Sequence, residues 1–429
     1  MAAKHIHNVR AVRVENHDDL AKIFALVLQE SPALLPSLEL FDSPRAWRMV
    51  AACFVALFAV YGVAYSFGAF FKPMAAEFGA RRSATSAVFS ITVLVWCVLG
   101  PLTGHLSDRF GPRIVVATGA IVMGIGLALT SMIDRLWLGY LTYGLGVGVG
   151  VACAYVPMVA VVGGWFLRRR NTALGIAVAG IGFGTVCGAP IAAALISHLG
   201  WRSTYLAFAI AATAILLGCG WIVERPPVHV TPSRFRIADA LRSPAFAFMY
   251  ASSVTVSIVL FVPFVYLPSF AHDHGASEFA SAALVGIIGG ASVAGRMGLG
   301  SMADRAGVLR LYQGSFLVLA LSYGIWLAAA SYPMMVVFAL VMGAGYGGYV
   351  ALSPAVIAHM FGTQRMGTML GALYTSGGLG AMIGPPLMGM MIDRTGSYRV
   401  AIAAALAIAL ASFTLLIPLK RYEPTQLES

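Results

Sequence analysis

The chain has 429 residues, of which 59% are hydrophobic and only 10% charged, with a formal net charge of +11. Soluble domains carry roughly 25% charged residues, so most of this chain faces lipid or other protein rather than water. The basic surplus could suggest a nucleic-acid partner, but if both termini are cytoplasmic, 20 of the 28 Lys and Arg fall on the inside, 7 on the outside and one within a span. That is the positive-inside asymmetry, led by Arg168, Arg169 and Arg170 and by Arg225, Arg234, Arg236 and Arg242. The charge sets orientation; no nucleic-acid partner is expected.

Residues 1–46 form a polar extension holding Glu15, Asp18, Asp19 and Glu30, unlike an acid-poor cleaved signal peptide, and Asp18 to Gln29 is suited to one short amphipathic helix. Apolar stretches long enough to span a bilayer follow at 49–71, 86–106, 113–133, 136–164, 171–197 and 203–223. A polar linker, 224–244, carries Pro226, Pro227 and Pro232. A second set of stretches occupies 245–269, 280–302, 309–329, 333–358, 367–391 and 397–418, ahead of a tail at 421–429. The fold class expected is an all-α membrane protein, with twelve transmembrane helices in two six-helix halves, 47–223 and 245–420. It is expected to be multi-pass in a cell (inner or plasma) membrane, with both termini cytoplasmic. Cys53, Cys97, Cys153, Cys187 and Cys219 each stand alone inside a stretch and read as packing residues; neither a metal nor a cofactor is expected.

One pattern occurs twice, 196 residues apart: Gly104-x-x-x-Asp108-Arg109-x-Gly111 and Gly300-x-x-x-Asp304-Arg305-x-Gly307. The same offset relates Gly175 to Gly371, Gly182 to Gly378, Gly184 to Gly380, Gly188 to Gly384, Pro190 to Pro386 and Gly200 to Gly396. Gly and Pro mark bends and close helix approaches, so the duplication concerns helix geometry as well as composition. Two halves of like topology suggest a transporter. Within the motif Gly permits a tight turn, Asp can cap the next helix and Arg supplies cytoplasmic charge. Gly180, Gly184 and Gly188, and at the repeat offset Ser376, Gly380 and Gly384, form smooth stripes for close helix packing.

Arg296 lies inside the eighth stretch, and no other span holds a charge well away from its ends. A charge in mid-membrane costs roughly 2.5–3.5 kcal/mol on insertion scales, so it marks a functional position. Asp304, eight residues on, is about 12 Å away along a helix, too far for direct pairing. A planar five-donor fork that never deprotonates suits a carboxylate, which brings the counter-charge the site lacks. The plainer reading is an arginine that snorkels to the cytoplasmic surface. Tyr61 and Tyr65 on the first helix, Tyr155 on the fourth, Tyr346 and Tyr349 on the tenth and Tyr374 on the eleventh are candidates to line a polar cavity, the alternative being interhelical packing.

The repeated motif, placed between the second and third and between the eighth and ninth spans, resembles the loop motif of the major facilitator superfamily over residues 47–420. Tyr61-Gly62, Tyr65-Ser66-Phe67-Gly68, Phe70-Phe71-Lys72-Pro73, Gly100-Pro101-Leu102-Thr103-Gly104, Trp165-Phe166 and Gly200-Trp201-Arg202 are similar to its bacterial monocarboxylate and oxalate/formate branch. The resemblance implies a rocker-switch carrier of a small carboxylate, with Asp108 and Asp304 latching the halves on the cytoplasmic side and Arg296 binding substrate. Animal monocarboxylate carriers place an aspartate where this chain has Ser292 and a lysine near Tyr65, and oxalate-type exchangers add a lysine in the eleventh helix, absent from 367–391 here. One arginine therefore favours a singly charged acid, unless Arg202 or Lys72 reaches the cavity, with Ser292 among its ligands. Proton symport would use His359, Asp304 or the substrate's own carboxyl. Carboxylate exchange, multidrug-type efflux and a non-transporting sensor are the rivals. An enzyme would need paired acids, a His-x-x-x-His helix or a nucleophile with its base inside the spans, and none is present. The expected unit is a monomer.

Overall fold

A computed structural model describes residues 41–166, 169–226, 243–361 and 366–422. The extension ahead of residue 41 with its Asp18–Gln29 segment, Arg234, Arg236 and Arg242 of the linker, and the side chains of Gly300, Asp304 and Arg305 lie outside what is described.

The described chain is helical nearly throughout, and ten helical stretches are long and apolar enough to cross a membrane. We label the helices α1 (Pro44–Glu77), α2 (Arg82–Phe110), α3 (Pro112–Thr130), α4 (Leu136–Trp165), α5 and α6 (together Arg170–Ile222), α7 (Pro244–Asp273), α8 (Glu278–Ala306), α9 (Val308–Ala328), α10 (Tyr332–Phe361), α11 (Met366–Thr395) and α12 (Tyr398–Thr414). The α5–α6 stretch is one helix only by hydrogen bonding: Gly200 at φ 76°, ψ 161° turns the chain back on itself. Several helices outrun their apolar cores, as α2 does at both ends. The count of apolar residues measures the part in hydrocarbon, whereas the backbone ladder continues until a cap or a turn stops it. At the start of α1, for example, Ser43 accepts the Ala46 amide at 3.3 Å ahead of Pro44. Two interruptions were not legible beforehand: α1 breaks at Ser66, and α7 at Phe261.

The 196-residue repeat has a conformational cause. Gly111 and Gly307 sit at φ 96° and 84°, Gly200 and Gly396 at 76° and 67°. Gly79 and Gly275, at φ 56° and 88°, form a third pair at the same offset, and since a side chain resists these positive-φ conformations each half needs glycine at the same three turns.

The small-residue stripes also act as pairs. On α5, Gly180, Gly184 and Gly188 lie against the backbone of α1 at Phe54, Phe58 and Gly62. On α11, Gly380 and Gly384 lie against α7 at Val254 and Ile258, which stand 196 residues after Phe58 and Gly62. A second face of each helix crosses to the other half: Gly182 on α5 meets Val293 of α8, and Gly378 on α11 meets Cys97 of α2, again related by the offset. Two helices thus weld each half internally and join it to the other.

The bundle has a terminal end, where α1 starts and α12 finishes, and an opposite end. At the opposite end the halves are tied: Lys72 Nζ is 2.5 Å from Asp273 Oδ1, Phe71 packs edge-on to Tyr266 at 5.2 Å, and Asp393 bonds the start of α2. At the terminal end Pro101, Leu102, His105, Asp108 and Arg109 of α2 are exposed, and so are Met297 and Gly298 of α8. Ties between the halves are thus described at the opposite end, where the terminal end shows exposed faces of α2 and α8.

A methyl group on Gly384 would collide with the Ile258 carbonyl, whereas Gly371, on the same helix, faces open space. Overpacking costs about 1–3 kcal/mol, and an open helical glycine gains about 1 kcal/mol on becoming alanine. Gly384→Ala is therefore expected to lower the melting temperature of the purified protein by several degrees and Gly371→Ala to hold or raise it, read by intrinsic-fluorescence melting.

Candidate substrate site

Arg296 stands on the side of α8 that looks toward α5 and α10. Its guanidinium carbon lies 5.8 Å from the centroid of the Tyr346 ring on α10, within the range of a cation–π contact. Nη1 reaches the Val178 carbonyl of α5 at 3.5 Å, a long bond, and the buried Nε has no hydrogen-bond partner. Among the described residues no carboxylate lies within ion-pair distance of it. The side chain is partly buried, so it is neither sealed in the core nor spread on the surface. A guanidinium with spare donors in a place of reduced polarity attracts an anion strongly, because what it lacks is both charge and hydrogen-bond acceptors.

Aromatic rings surround the position. The Tyr346 and Tyr65 hydroxyls are 3.2 Å apart, joining α10 to α1 across the halves. Tyr65 stacks on Phe264 of α7 at 4.5 Å and meets Trp96 of α2 edge-on at 6.2 Å. Tyr61 lies 5.5 Å from Tyr65, 5.7 Å from Trp96 and 6.0 Å from Tyr155. Tyr155 of α4 thus joins the same cluster through its edge-on contact with Tyr61. One ring, Tyr346, faces the cation directly, and through its hydroxyl contact with Tyr65 it is continuous with an aromatic cluster drawn from both halves.

Several expectations need correcting. Tyr349 is turned toward α9 of the second half, 5.3 Å from Phe316 and 6.2 Å from Tyr312, because a step of three residues rolls it about 60° around α10 from Tyr346. Ser292 is 1% exposed and its backbone packs against Gly347, so it lies in the α8–α10 seam, its hydroxyl without a partner. Lys72 is held by Asp273 and by His272 Nδ1 at 3.0 Å. Arg202 donates to Glu77 at 2.6 Å and to the Ser131 and Ile133 carbonyls. Neither cation is spare for the cavity. His359 stands thirteen residues beyond Tyr346, about 20 Å along α10 and toward the terminal end. Gly104 packs on the Val156 side chain, Asp108 is exposed, and the Arg109 carbonyl accepts from Arg225 at 3.2 Å.

Trp96, Phe264 and the Val178 carbonyl were not foreseen. The repeat could have found the first, since Trp96 and Gly100 are the counterparts of Ser292 and Arg296 at the offset of 196. No pattern marks Phe264 apart from other apolar residues of α7.

Arg296 and the rings beside it thus lie between two halves related by the repeat. A model of the Major Facilitator Superfamily matches residues 53–321 and 297–429, and the chain belongs to that family; it is a transporter and not an enzyme. Among named proteins it is 28% identical to Monocarboxylate transporter 12-B of Danio rerio over 83% of each chain, and 30% identical to Monocarboxylate transporter 3 of Rattus norvegicus over 84% of this chain and 76% of that one. It is also 27% identical to MFS transporter asaE of Aspergillus flavus, covering 82% and 81%. Among solved structures, a bacterial homolog of the human lysosomal transporter Spinster, inward-facing and occupied, superposes with a TM-score of 0.75 at 14% identity over 89% of this chain and 98% of that chain.

The hydroxyl pair gives a direct check. Tyr65→Phe or Tyr346→Phe strands the other hydroxyl, at a cost of about 1–3 kcal/mol if it stays dry, whereas the double replacement leaves nothing unpaired. Each single variant is expected to melt below wild type and the double variant above both, in a thermal-melting cycle.

Proposed function

We propose that this protein is a secondary active transporter of a small monocarboxylate, moved by alternating access, with Arg296 as the residue that binds the carboxylate. The observation that carries the reading is a mid-span guanidinium with an unused buried donor and no acid within reach among the described residues. The relatives named monocarboxylate transporters, at 28–30% identity across most of their length, support the same substrate class. A bound carboxylate neutralises the arginine, so the occupied cavity costs less to dehydrate than the empty one, and closure at the terminal end follows occupancy. Tyr65, Tyr61, Tyr155, Tyr346 and Tyr374 supply hydroxyls and an aromatic wall for the rest of the acid.

The terminal end carries the basic surplus and is read as cytoplasmic, in a plasma or inner membrane, which makes the present conformation inward-open. Asp108 is then exposed as a latch residue would be with the cytoplasmic end apart, and Asp304 is read as its counterpart. Movement of an acid together with a proton is electroneutral and avoids about 2.3 kcal/mol per charge per 100 mV. With Ser292 in place of an acid, the proton travels on the substrate carboxyl or by way of His359 or Asp304.

Ligands that bind the folded state raise its melting point by mass action. In a screen of small mono- and dicarboxylates, monocarboxylates are expected to raise the melting temperature of wild type, and Arg296→Lys to lose that gain because a point charge cannot make the bidentate contact. Uptake into proteoliposomes should fall at least about tenfold in the variant, one tenfold step per about 1.4 kcal/mol lost. Unchanged shift and uptake in Arg296→Lys would end the assignment. For coupling, an inward-acid pH gradient is expected to alter radiolabelled lactate uptake; uptake indifferent to the gradient but stimulated by unlabelled acid on the far side would mean exchange.

A further inference from the structure

At the end of the bundle opposite the termini, beside the Phe71–Tyr266 packing and the Tyr266 hydroxyl's bond to the Arg82 carbonyl at 3.3 Å, two carboxylates make unlike contacts. One joins side chains: Lys72 of α1 to Asp273 and His272 of α7, with Tyr398 of α12 donating to Asp273 Oδ2 at 3.0 Å. The other joins a side chain to a helix start. Arg82 and Ser83 open α2, and their amides have no acceptor within that helix. Both are taken up by Asp393, near the end of α11 in the other half: Arg82 N lies 3.4 Å from Oδ1 and Ser83 N 3.3 Å from Oδ2, with Ser83 Oγ donating to Oδ2 at 3.4 Å. Around this cap α11 approaches so closely that a methyl group on Gly389 would meet the Ser83 amide and the Tyr266 hydroxyl. That hydroxyl in turn donates to the Pro385 carbonyl of α11 at 2.9 Å.

The related place in the repeat lacks the device. The counterpart of Asp393 is Ser197, which spends its hydroxyl on the Ala194 carbonyl of its own helix at 2.8 Å, and the counterpart of Ser83 is Phe279, 59% exposed. Where a second cap would sit there is a cavity of about 70 Å³, bounded by Ala193 and Ile196 of α5 and by Glu278 and Ser281 of α8. Duplication did not place the carboxylate on both sides: α8 is capped locally, Ser277 Oγ accepting from the Ala280 amide at 3.2 Å, and α2 alone is capped across the halves.

We propose that Asp393 is a gate residue of the transport cycle, whose carboxylate holds this end shut by capping α2 across the halves. The inference rests on the alternating-access reading and adds to it which contact must be released for α11 to leave α2. When the end opens, water replaces the carboxylate at both amides and hydrates the carboxylate, so the net cost of release is small. The cap therefore biases the equilibrium and does not lock it, as a cycling carrier requires. A carboxylate facing a helix start adds a favourable charge–dipole term to the closed state alone.

The test measures the opposite end directly. Spin labels at Asp134→Cys and Ser331→Cys, in exposed turns of different halves, are followed by double electron–electron resonance in nanodiscs, with the five native cysteines replaced. Asp393→Ala is expected to raise the population with the wider separation about two- to fivefold. Arg82→Pro deletes one capped amide at a first-turn position where proline is tolerated, and Arg82→Ala controls for loss of the side chain. Arg82→Pro should open the end more than Arg82→Ala when Asp393 is present, and no more than it when Asp393 is alanine. Equal distributions for wild type and Asp393→Ala, or a proline effect that persists without Asp393, would overturn the gate assignment. If Asp393→Ala is not recovered as a monodisperse protein, the proline–alanine difference in the wild-type background decides alone, its absence refuting the cap. A wild type with one narrow separation, with or without carboxylates, would instead overturn alternating access itself.

Discussion

Everything in this molecule depends on how closely α5 and α11 approach their neighbours. Each presents small residues to a helix of its own half, α1 or α7, and a further glycine to a helix of the other half, α8 or α2. In a bilayer, apolar helices gain little from hiding side chains from lipid that is equally apolar, so association rests on close packing. Backbone-to-backbone contact at glycine supplies it, and also leaves a smooth seam. The halves are therefore joined along two surfaces that can slide or pivot without unpacking a side chain, which is the mechanical precondition for opening first one end and then the other.

On that symmetric frame the chemistry is one-sided. Arg296 stands where the first half has Gly100, Ser292 where it has Trp96, and Tyr374 where it has Val178. The duplicated geometry sets related helices face to face; the unequal residues put a cation on one side and an indole on the other. The same holds at the end opposite the termini, where one side has the Asp393 cap and the other has a gap. Symmetry in this protein governs backbone approach, and departures from symmetry carry charge.

Much of the architecture was written in the chain. A bilayer excludes backbone that is not internally bonded, so long apolar runs had to be helices, and charge had to collect at their ends. The repeat was legible because Gly111, Gly200, Gly307 and Gly396 all need positive φ, a demand that few other residues meet. Arg296 was legible because a buried charge is expensive enough to stand out singly. The tyrosines were not separable in this way. Tyr346 and Tyr349 look equivalent in sequence, and only the roll of α10 against α8 and α9 sends one to the arginine and the other to Phe316. Lys72 and Arg202 looked free to join the site; partners 201 and 125 residues away in the chain, Asp273 and Glu77, account for both.

The sequence by itself thus determined the helical class, the duplication, the turns and the one cation in the interior, since each follows from a local cost: an unpaired backbone group, a strained φ, a charge in oil. Only the tertiary structure decided which aromatic ring faces that cation, which polar residues are consumed elsewhere, and at which end the halves are tied. Those outcomes depend on helix rotation and on pairings between distant parts of the chain, where many arrangements satisfy the local costs equally and packing selects among them.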